Sequence, residues 1–366
     1  MIRIFAKPTI MALCLVLIFS MLGGCRGPVS DAGMITREAS GTTLAPTSEA
    51  SFSAIPVPGT TASDTLASST ETTAASFEYS WDPHVFSQID RDAIGAEAEQ
   101  FFYDLIDAVI AGKESVPCAD QDLLWGLDLA MNTFFPPYDF IVSDSTYADG
   151  EVRLQYRLDS EQREVLLRDF AEQIETLVEY AELLEEDSPT VRAIKLYRMY
   201  SVLIRYDYGA EDNDVVTDVS CYRGLMELEG ICQSFASAYA YLCLQSGVEA
   251  TTVTGMNSEY AHEWTILTLD DNYYYADPTF ESGDGGYGLK YFGMTAVQRE
   301  LAGEFIADEY NIGHSNHLWG KDIDVTDEAF APLWEAVYVF PSENEDGEWI
   351  LMCEKADGSV FEYGIR

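Results

Sequence analysis

Apolar residues recur at helical spacing through the middle of the chain, and the recurrence begins at a cysteine. The positions are Cys232, Phe235, Ala236, Tyr239, Leu242 and Cys243. Positions three and four apart share one face of a helix, so the run predicts a helix that begins at Cys232 and ends before Gly247. The unpaired N–H groups and the macrodipole at a helix N-terminus favour a thiolate over a thiol. The pattern therefore predicts an activated cysteine.

A strand pattern follows this helix. Residues 263–269 are rich in β-forming side chains, Asp270, Asp271 and Asn272 have turn composition, and residues 273–276 return as a second strand. With a turn of even length, His262 and Asp277 lie on the same face of the hairpin, directly opposite or one diagonal step apart. A carboxylate there accepts a proton from one imidazole nitrogen and leaves the other nitrogen for Cys232.

Each of these three residues also has an ordinary structural interpretation. A cysteine at a helix start is usually a buried hydrophobe, a histidine beside tryptophan a strand residue, and an aspartate before proline a turn former. Their order and their flanking sequences make these separate interpretations less probable than a joint one. We therefore interpret Cys232, His262 and Asp277 as a catalytic triad.

At these residues the sequence resembles the bacterial secreted branch of the transglutaminase-like superfamily. The resemblance extends over 206–291 and rests on Ser-x-Tyr-x-x-Leu at 220–225, Gly-Ile-Cys at 230–232, Gly-Val at 247–248 and Asp-Pro-Thr-Phe at 277–280. Two segments depart from the family pattern: Ala-His-Glu-Trp-Thr at 261–265 stands where Gly-His-Ala-Trp-Asn is usual, and Glu-Leu-Glu at 227–229 replaces an Asn-Gly-Lys turn. We expect Glu263 to point away from His262 and to alter the rim of the site.

The resemblance implies an α+β fold: a transglutaminase-like, papain-like core in which the nucleophile helix packs on an antiparallel sheet, preceded by a mainly helical N-terminal portion. It implies acyl transfer through a thioester, with the backbone N–H of Cys232 as one oxyanion donor. An aromatic side chain is expected as the second donor. The candidates for this donor or for substrate contact are Tyr222, Gln233, Trp264, Tyr206 and Tyr208. No cofactor and no metal site are expected.

The residues leave the outcome of the thioester open. Attack by water makes the protein a peptidase or deamidase, attack by an amine makes it a cross-linking transglutaminase, and hydrolysis is slightly favoured. A tethered binding module without activity is the third alternative. Expected partners are protein or peptide substrates, including those associated with the cell wall. The oligomeric state is left open.

The N-terminal sequence is typical of an export and anchoring segment. Arg3 and Lys7 precede a short apolar run, and Leu-Gly-Gly-Cys at 22–25 resembles the bacterial lipobox, with Cys25 as the lipidated residue. We expect the following segments: a lipoprotein signal peptide over 1–24, a disordered Ser/Thr-rich linker over 25–80, a mainly helical region over 81–190, the catalytic core over 191–295, and a helix and β-hairpin extension over 296–366. The mature protein is then extracytoplasmic and held at the bacterial cell membrane by its lipid alone.

Charge and cysteine content narrow the partners further. The formal net charge of −43 disfavours nucleic acid and direct docking on anionic lipids. The chain has seven cysteines, none at zinc-site spacing, and Cys118, Cys221 and Cys353 are left as candidates for disulfides without a deducible pairing. His314 and His317 have no third ligand and are expected to be surface residues.

Overall fold

We describe a computed structural model that covers residues 75–210, 216–312, 323–345 and 347–365. These residues fall in one compact unit of mixed α+β architecture. The predicted signal peptide, Cys25, most of the linker, His314 and His317 lie outside the described residues. No helix among the described residues is long and apolar enough to cross a membrane.

The N-terminal region is mainly helical, as predicted, and it also contains a small sheet. Its elements are α1 Gln88–Ile94, α2 Ala96–Ile110, β1 Ser115–Pro117, α3 Gln121–Phe134, α4 Tyr138–Ile141, β2 Val142–Ala148, β3 Glu151–Tyr156 and α5 Ser160–Tyr180. The three strands are antiparallel in the order β1-β3-β2. The predicted capping box of α5 is confirmed, since Asp159 and Gln162 exchange both hydrogen bonds.

The sequence pattern over 90–110 predicts one amphipathic helix, and this prediction is wrong. The chain forms two helices, α1 and α2, which meet at Gly95. Gly95 has a φ of 86°, a left-handed value that breaks the helical path and that a glycine adopts without steric cost. A hydrophobic pattern alone does not reveal this break, because apolar spacing continues on either side of it.

The central elements bring the predicted nucleophile into the core. They are α6 Pro189–Leu203, β4 Arg205–Tyr206, a 3-10 turn over Val216–Val219, α7 Cys221–Met226, β5 Glu229–Gly230 and α8 Cys232–Gln245. Helix α6 begins with a Ser188 cap and Pro189 in its first turn, as the sequence predicts. Helix α8 is buried almost throughout, so it forms the centre of the largest hydrophobic cluster.

A four-stranded antiparallel sheet lies against α8. Its strands are β6 Glu249–Met256, β7 Ala261–Leu269, β8 Asn272–Ala276 and β9 Ile306–Ile312, in the order β8-β7-β6-β9. Two short helices, α9 Pro278–Gly283 and α10 Ala296–Leu301, lie between β8 and β9 in the chain. Strand β9 comes from the segment predicted as a C-terminal extension, so that segment completes the sheet of the core.

The C-terminal residues form a second sheet. A 3-10 turn over Ala331–Glu335 leads into β10 Ala336–Glu343, β11 Trp349–Lys355 and β12 Val360–Gly364. The predicted pairing of the last two strands is confirmed, and β10 adds a strand that the sequence pattern did not indicate. Cys118, Cys221, Cys243 and Cys353 are buried as free thiols, so the three disulfide candidates Cys118, Cys221 and Cys353 do not pair with one another.

Candidate active site

Cys232 is the first residue of helix α8, as predicted. Ile231 is the N-cap and accepts the first helical hydrogen bond, from the N–H of Phe235 at 3.0 Å. The residue is 1% exposed, so the positive end of the macrodipole acts on it with little screening by water.

Position 230 requires a glycine because helix α8 approaches the backbone closely there. A Cβ at this position would lie 2.4 Å from Oγ of Ser234, which is one turn into the helix. Strand β5 pairs in parallel with β4, placing Gly230 beside Tyr206, and the N–H of Asp207 donates to the carbonyl of Gly230 at 2.9 Å. The chain is therefore clamped between β4 and the helix just before it reaches the cysteine.

His262 and Asp277 form the predicted pair. Nε2 of His262 lies 2.7 Å from Oδ2 of Asp277, and the side chains are 3% and 0% exposed. The register of β7 and β8 pairs Thr265 with Ala276, around a two-residue turn at Asp270 and Asp271. Continued past the end of β8, this register sets Asp277 one diagonal step from His262, which confirms that expectation.

Asp277 is held as a buried carboxylate by several donors. It caps α9, where Oδ1 accepts from the N–H of Phe280 at 3.1 Å. Oδ2 accepts from His262 and also from Nη1 of Arg299. Burial acts to raise the pKa of Asp277, but the charges of His262 and Arg299 and the hydrogen bonds outweigh burial and lower it to about 2. The carboxylate is therefore ionised at neutral pH.

Aromatic rings surround the imidazole. The ring of His262 lies 4.9 Å from Phe305, 5.0 Å from Phe280 and 5.9 Å from Trp264 between centroids. Trp264 is fully buried, so it supports the histidine ring and has no surface to offer to a substrate. These contacts restrict the rotation of the imidazole and exclude water from its hydrogen bond to Asp277.

A side-chain hydrogen bond joins the dyad strand to the cysteine helix. Oγ1 of Thr265 on β7 donates to the carbonyl of Ala236 on α8 at 2.9 Å. In the chain, β6 follows α8 and runs back antiparallel to it, and β7 is in turn antiparallel to β6. Helix α8 and strand β7 therefore run in the same direction. Cys232 precedes this contact by four helical residues, or about 6 Å, and His262 precedes it by three strand residues, or about 10 Å. Both residues therefore lie at the same end of the helix–sheet contact.

The tyrosine candidates lie in two different places. Tyr206 on β4 packs on Phe235 of α8 and on Tyr208, which is largely exposed, so both tyrosines are beside the cysteine segment. The ring of Tyr222 instead stacks between Phe140 and Phe170 of the helical region, at centroid distances of 4.1 and 5.5 Å. Gln233 is half-buried, and its backbone carbonyl accepts a hydrogen bond from Oγ of Ser237.

Glu263 does not lie at the rim. It is only 4% exposed, and strand alternation places it on the same face of β7 as Thr265, toward α7 and α8. Burial raises the pKa of the Cys221 thiol, and the nearby charge of Glu263 raises it further. The expectation that Glu263 points away from His262 agrees with this alternation, but its environment is the interior.

Arg299 is the site residue that sequence reasoning missed. It is 1% exposed on α10 and pairs with Asp277 from 22 residues away. The predicted Thr295 cap of this helix is confirmed, yet an arginine in a short polar helix resembles any solvated surface residue. Only the packing of α10 against the dyad reveals its role.

Residues 178–278 match the family model described as the Transglutaminase-like superfamily. The matched range includes Cys232, His262 and Asp277. This part of the chain is therefore similar to a transglutaminase-like domain. No curated protein matches the chain.

Two solved structures resemble part of the chain. One is described as a "TGase"; it is 14% identical with a TM-score of 0.29, over 37% of this chain and 43% of that one. The other is a "Putative Cysteine Protease" from Cytophaga hutchinsonii, 15% identical with a TM-score of 0.25, over 34% of this chain and 43% of that one. The chain thus spans less than half the length of either structure.

Proposed function

We propose that the protein is a cysteine enzyme that acts on amide bonds of proteins or peptides through a thioester on Cys232, with hydrolysis favoured over amine transfer. The observation that carries this proposal is the buried hydrogen bond between His262 and Asp277, on the strand that packs beside the Cys232 helix. Such a pair has little value in a binding module, because burying an ion pair costs desolvation free energy.

The hydrogen bond assigns the two nitrogens of the imidazole. Nε2–H donates to Asp277, so Nδ1 carries the lone pair that accepts the proton of Cys232. Thr265 and His262 are three positions apart and leave β7 on opposite faces. In the proposed mechanism the thiol approaches the imidazole around the end of the strand, where His262 is the second residue.

The reaction then follows from these groups. The Cys232 thiolate attacks the amide carbonyl carbon, and the backbone N–H groups at the start of α8 stabilise the resulting oxyanion. His262 returns the proton to the departing ammonia or amine, which leaves the thioester. Water, activated by the same imidazole, attacks the thioester and releases the acid product and the thiol.

We favour Tyr206 or Tyr208 over Tyr222 as the second oxyanion donor. The pairing of β4 with β5 places Tyr206 beside Gly230, two residues before the nucleophile, and the ring of Tyr208 lies against that of Tyr206. Tyr222 has its ring committed to the stack with Phe140 and Phe170. Tyr206→Phe is expected to lower kcat more than Tyr222→Phe does, and the reverse order would reinstate Tyr222.

The test of the reaction is mass spectrometry on a glutamine-containing peptide incubated with reduced protein and a primary amine. Conversion of glutamine to glutamate, or cleavage of the peptide, supports hydrolysis. Incorporation of the amine supports the cross-linking alternative. The Cys232→Ala protein is the matched control. A folded, reduced protein that modifies no peptide in a diverse library would leave the binding-module alternative.

We also propose that the enzyme works outside the cytoplasm, tethered by lipid on Cys25. This rests on the lipobox-like segment at 22–25 and on the Ser/Thr-rich residues that follow it. Cys25→Ala should move the protein out of the membrane fraction, with Cys118→Ala as the control. Unchanged fractionation of the Cys25 variant would refute the tether without affecting the chemistry.

A further inference from the structure

Arg299 has a position that a surface helix does not require. Its guanidinium is buried, with Nη1 donating to Asp277 and Nη2 donating to the carbonyl of Ala302 at 3.2 Å. The same group lies over the ring of Phe280 at 4.5 Å, and over Phe305 and Trp264 at 5.1 and 5.2 Å. These rings are also the neighbours of His262.

The arginine and the histidine share a single carboxylate oxygen. Nε2 of His262 and Nη1 of Arg299 both donate to Oδ2 of Asp277, while Oδ1 receives the N–H of Phe280. Both oxygens therefore have fixed donors, and the carboxylate cannot rotate without breaking a charged hydrogen bond. The aromatic walls keep water from replacing either donor.

We propose that Arg299 is a positioning residue of the site: it fixes the carboxylate of Asp277 toward His262 and offsets part of the negative charge of that carboxylate. The guanidinium neutralises much of the carboxylate charge, so an imidazolium at His262 gains less from its partner. The consequence for turnover rests on the proposed function, but the effect on His262 does not.

Other ionisable groups also face the dyad, and they are the same in the parent protein and in variants of Arg299. They approach from the neighbouring elements, and they are Tyr260 before β7, Glu281 on α9 and Tyr197 on α6. Tyr197 donates to the backbone carbonyl of Asp277 at 3.0 Å and lies 3.4 Å from Oε2 of Glu281. Changing Arg299 alone leaves these contributions in place.

The test is an NMR titration of His262 in the Cys232→Ala protein, which removes the thiol that would titrate with the ring. With only four histidines in the chain, His262→Gln assigns the resonance. Arg299→Met should raise the pKa of His262 by about one unit or more. Arg299→Lys, which keeps the charge, should leave the pKa near that of the parent. If Arg299→Met does not fold, Arg299→Gln takes its place with the same expected rise.

The matched control is Arg198→Met. Arg198 is a largely buried arginine on α6 that donates to the carbonyl of Val339 at 2.9 Å, away from the dyad. The Arg198→Met substitution should lower the melting temperature without changing the pKa of His262. A folded Arg299→Met or Arg299→Gln protein with an unchanged pKa would overturn the proposal. An equal rise in Arg198→Met would also overturn it, because loosening of the fold would then explain the shift.

The pH profile of kcat/KM separates this inference from the proposed function. In the active protein, Arg299→Met should move the acidic limb upward, because His262 must lose its proton to act as the base, and lower kcat by about tenfold because the ring is less well oriented. An acidic limb that stays in place would contradict the proposal. A raised pKa in a protein that turns over no peptide would refute the proposed function and leave the role of Arg299 intact.

Discussion

Two hydrophobic clusters of the molecule use charge in opposite ways. The cluster formed by α2, α3 and the β1–β3 sheet is built from side chains such as Phe102, Leu105 and Phe134, each fully buried. The cluster around the dyad combines Trp264 and Phe305 with His262, Asp277, Glu281 and Arg299, the charged groups being as buried as the rings. Apart from Asp90 and Glu263, the buried Asp, Glu, His and Arg side chains of the described residues belong to this second region.

The difference shows where the fold buries charged groups at a cost in folding free energy. Apolar burial stabilises the first cluster at roughly 25 cal/mol per Å². A buried charge is costly unless it is paired and hydrogen-bonded, and pairing commonly only offsets that cost. We therefore expect the first cluster to determine stability and the second to determine activity and pH dependence. The following changes test that division.

The largest effect is expected from the nucleophile. Cys232→Ala should reduce amidase or transfer activity to background, on the order of 10⁴-fold or more, because no covalent route remains. Cys243→Ala, in the same buried helix, is the matched control and should retain activity with some loss of stability. Turnover of a glutamine peptide in reductant, together with thermal unfolding, measures both. Activity in a folded Cys232→Ala protein would exclude the thioester mechanism.

A smaller loss is expected from Asp277→Asn. The asparagine retains the shape but can present an N–H to the imidazole and leaves Arg299 without a charged partner. A serine enzyme loses about 10⁴ in turnover on the equivalent change. A cysteine enzyme should lose about 10²–10³, because its thiolate needs less help from the base. Asp327→Asn, at a carboxylate that accepts from Tyr274, is the control and should retain its kcat. Full activity in Asp277→Asn would remove the carboxylate from the mechanism.

The apolar cluster should respond in stability instead. Phe134→Ala deletes a fully buried ring that packs on Phe86 and Phe102, and should lower the free energy of unfolding by about 3–5 kcal/mol. Phe340→Ala, at a ring that is 54% exposed, should change it by less than about 0.5 kcal/mol. Urea unfolding measures both, and kcat of the folded fraction should not change. A large fall in kcat with intact stability would break the division between the two clusters.

The smallest effect concerns Glu281. Burial raises its pKa to about 7, although hydrogen bonds from Tyr291 N–H and Tyr197 oppose the shift. An unfolded glutamate has a pKa of about 4.3, so between these values the folded state binds more protons and stability falls as pH rises. Glu281→Gln should remove this slope and be more stable than the parent above pH 7.

The control for this titration is Glu300→Gln, an exposed change on α10 that should leave the pH dependence as it is. Stability of the parent that does not fall between pH 5 and 8 would contradict the assignment to Glu281.

Local patterns predicted most of the elements near the site. The helix from Cys232, the hairpin carrying His262 and Asp277, the cap of α5 and the start of α6 all follow from spacing and turn chemistry within about twenty residues. The register of a two-residue turn also places His262 and Asp277 on one face, which is why their contact was predictable.

Contacts between distant segments were not predictable in this way. The sequence by itself determined the order of a cysteine, a histidine and a carboxylate and the local elements that carry them, because these depend on neighbours along the chain. The tertiary structure alone decided that Arg299 faces Asp277, that Trp264 and Glu263 are buried, that β9 completes the sheet, and that Tyr206 rather than Tyr222 borders the cysteine segment. The physical reason is that burial and charge pairing depend on which surfaces of the helices and strands pack together. The helices and strands themselves can be recognised from local sequence, which does not contain that information.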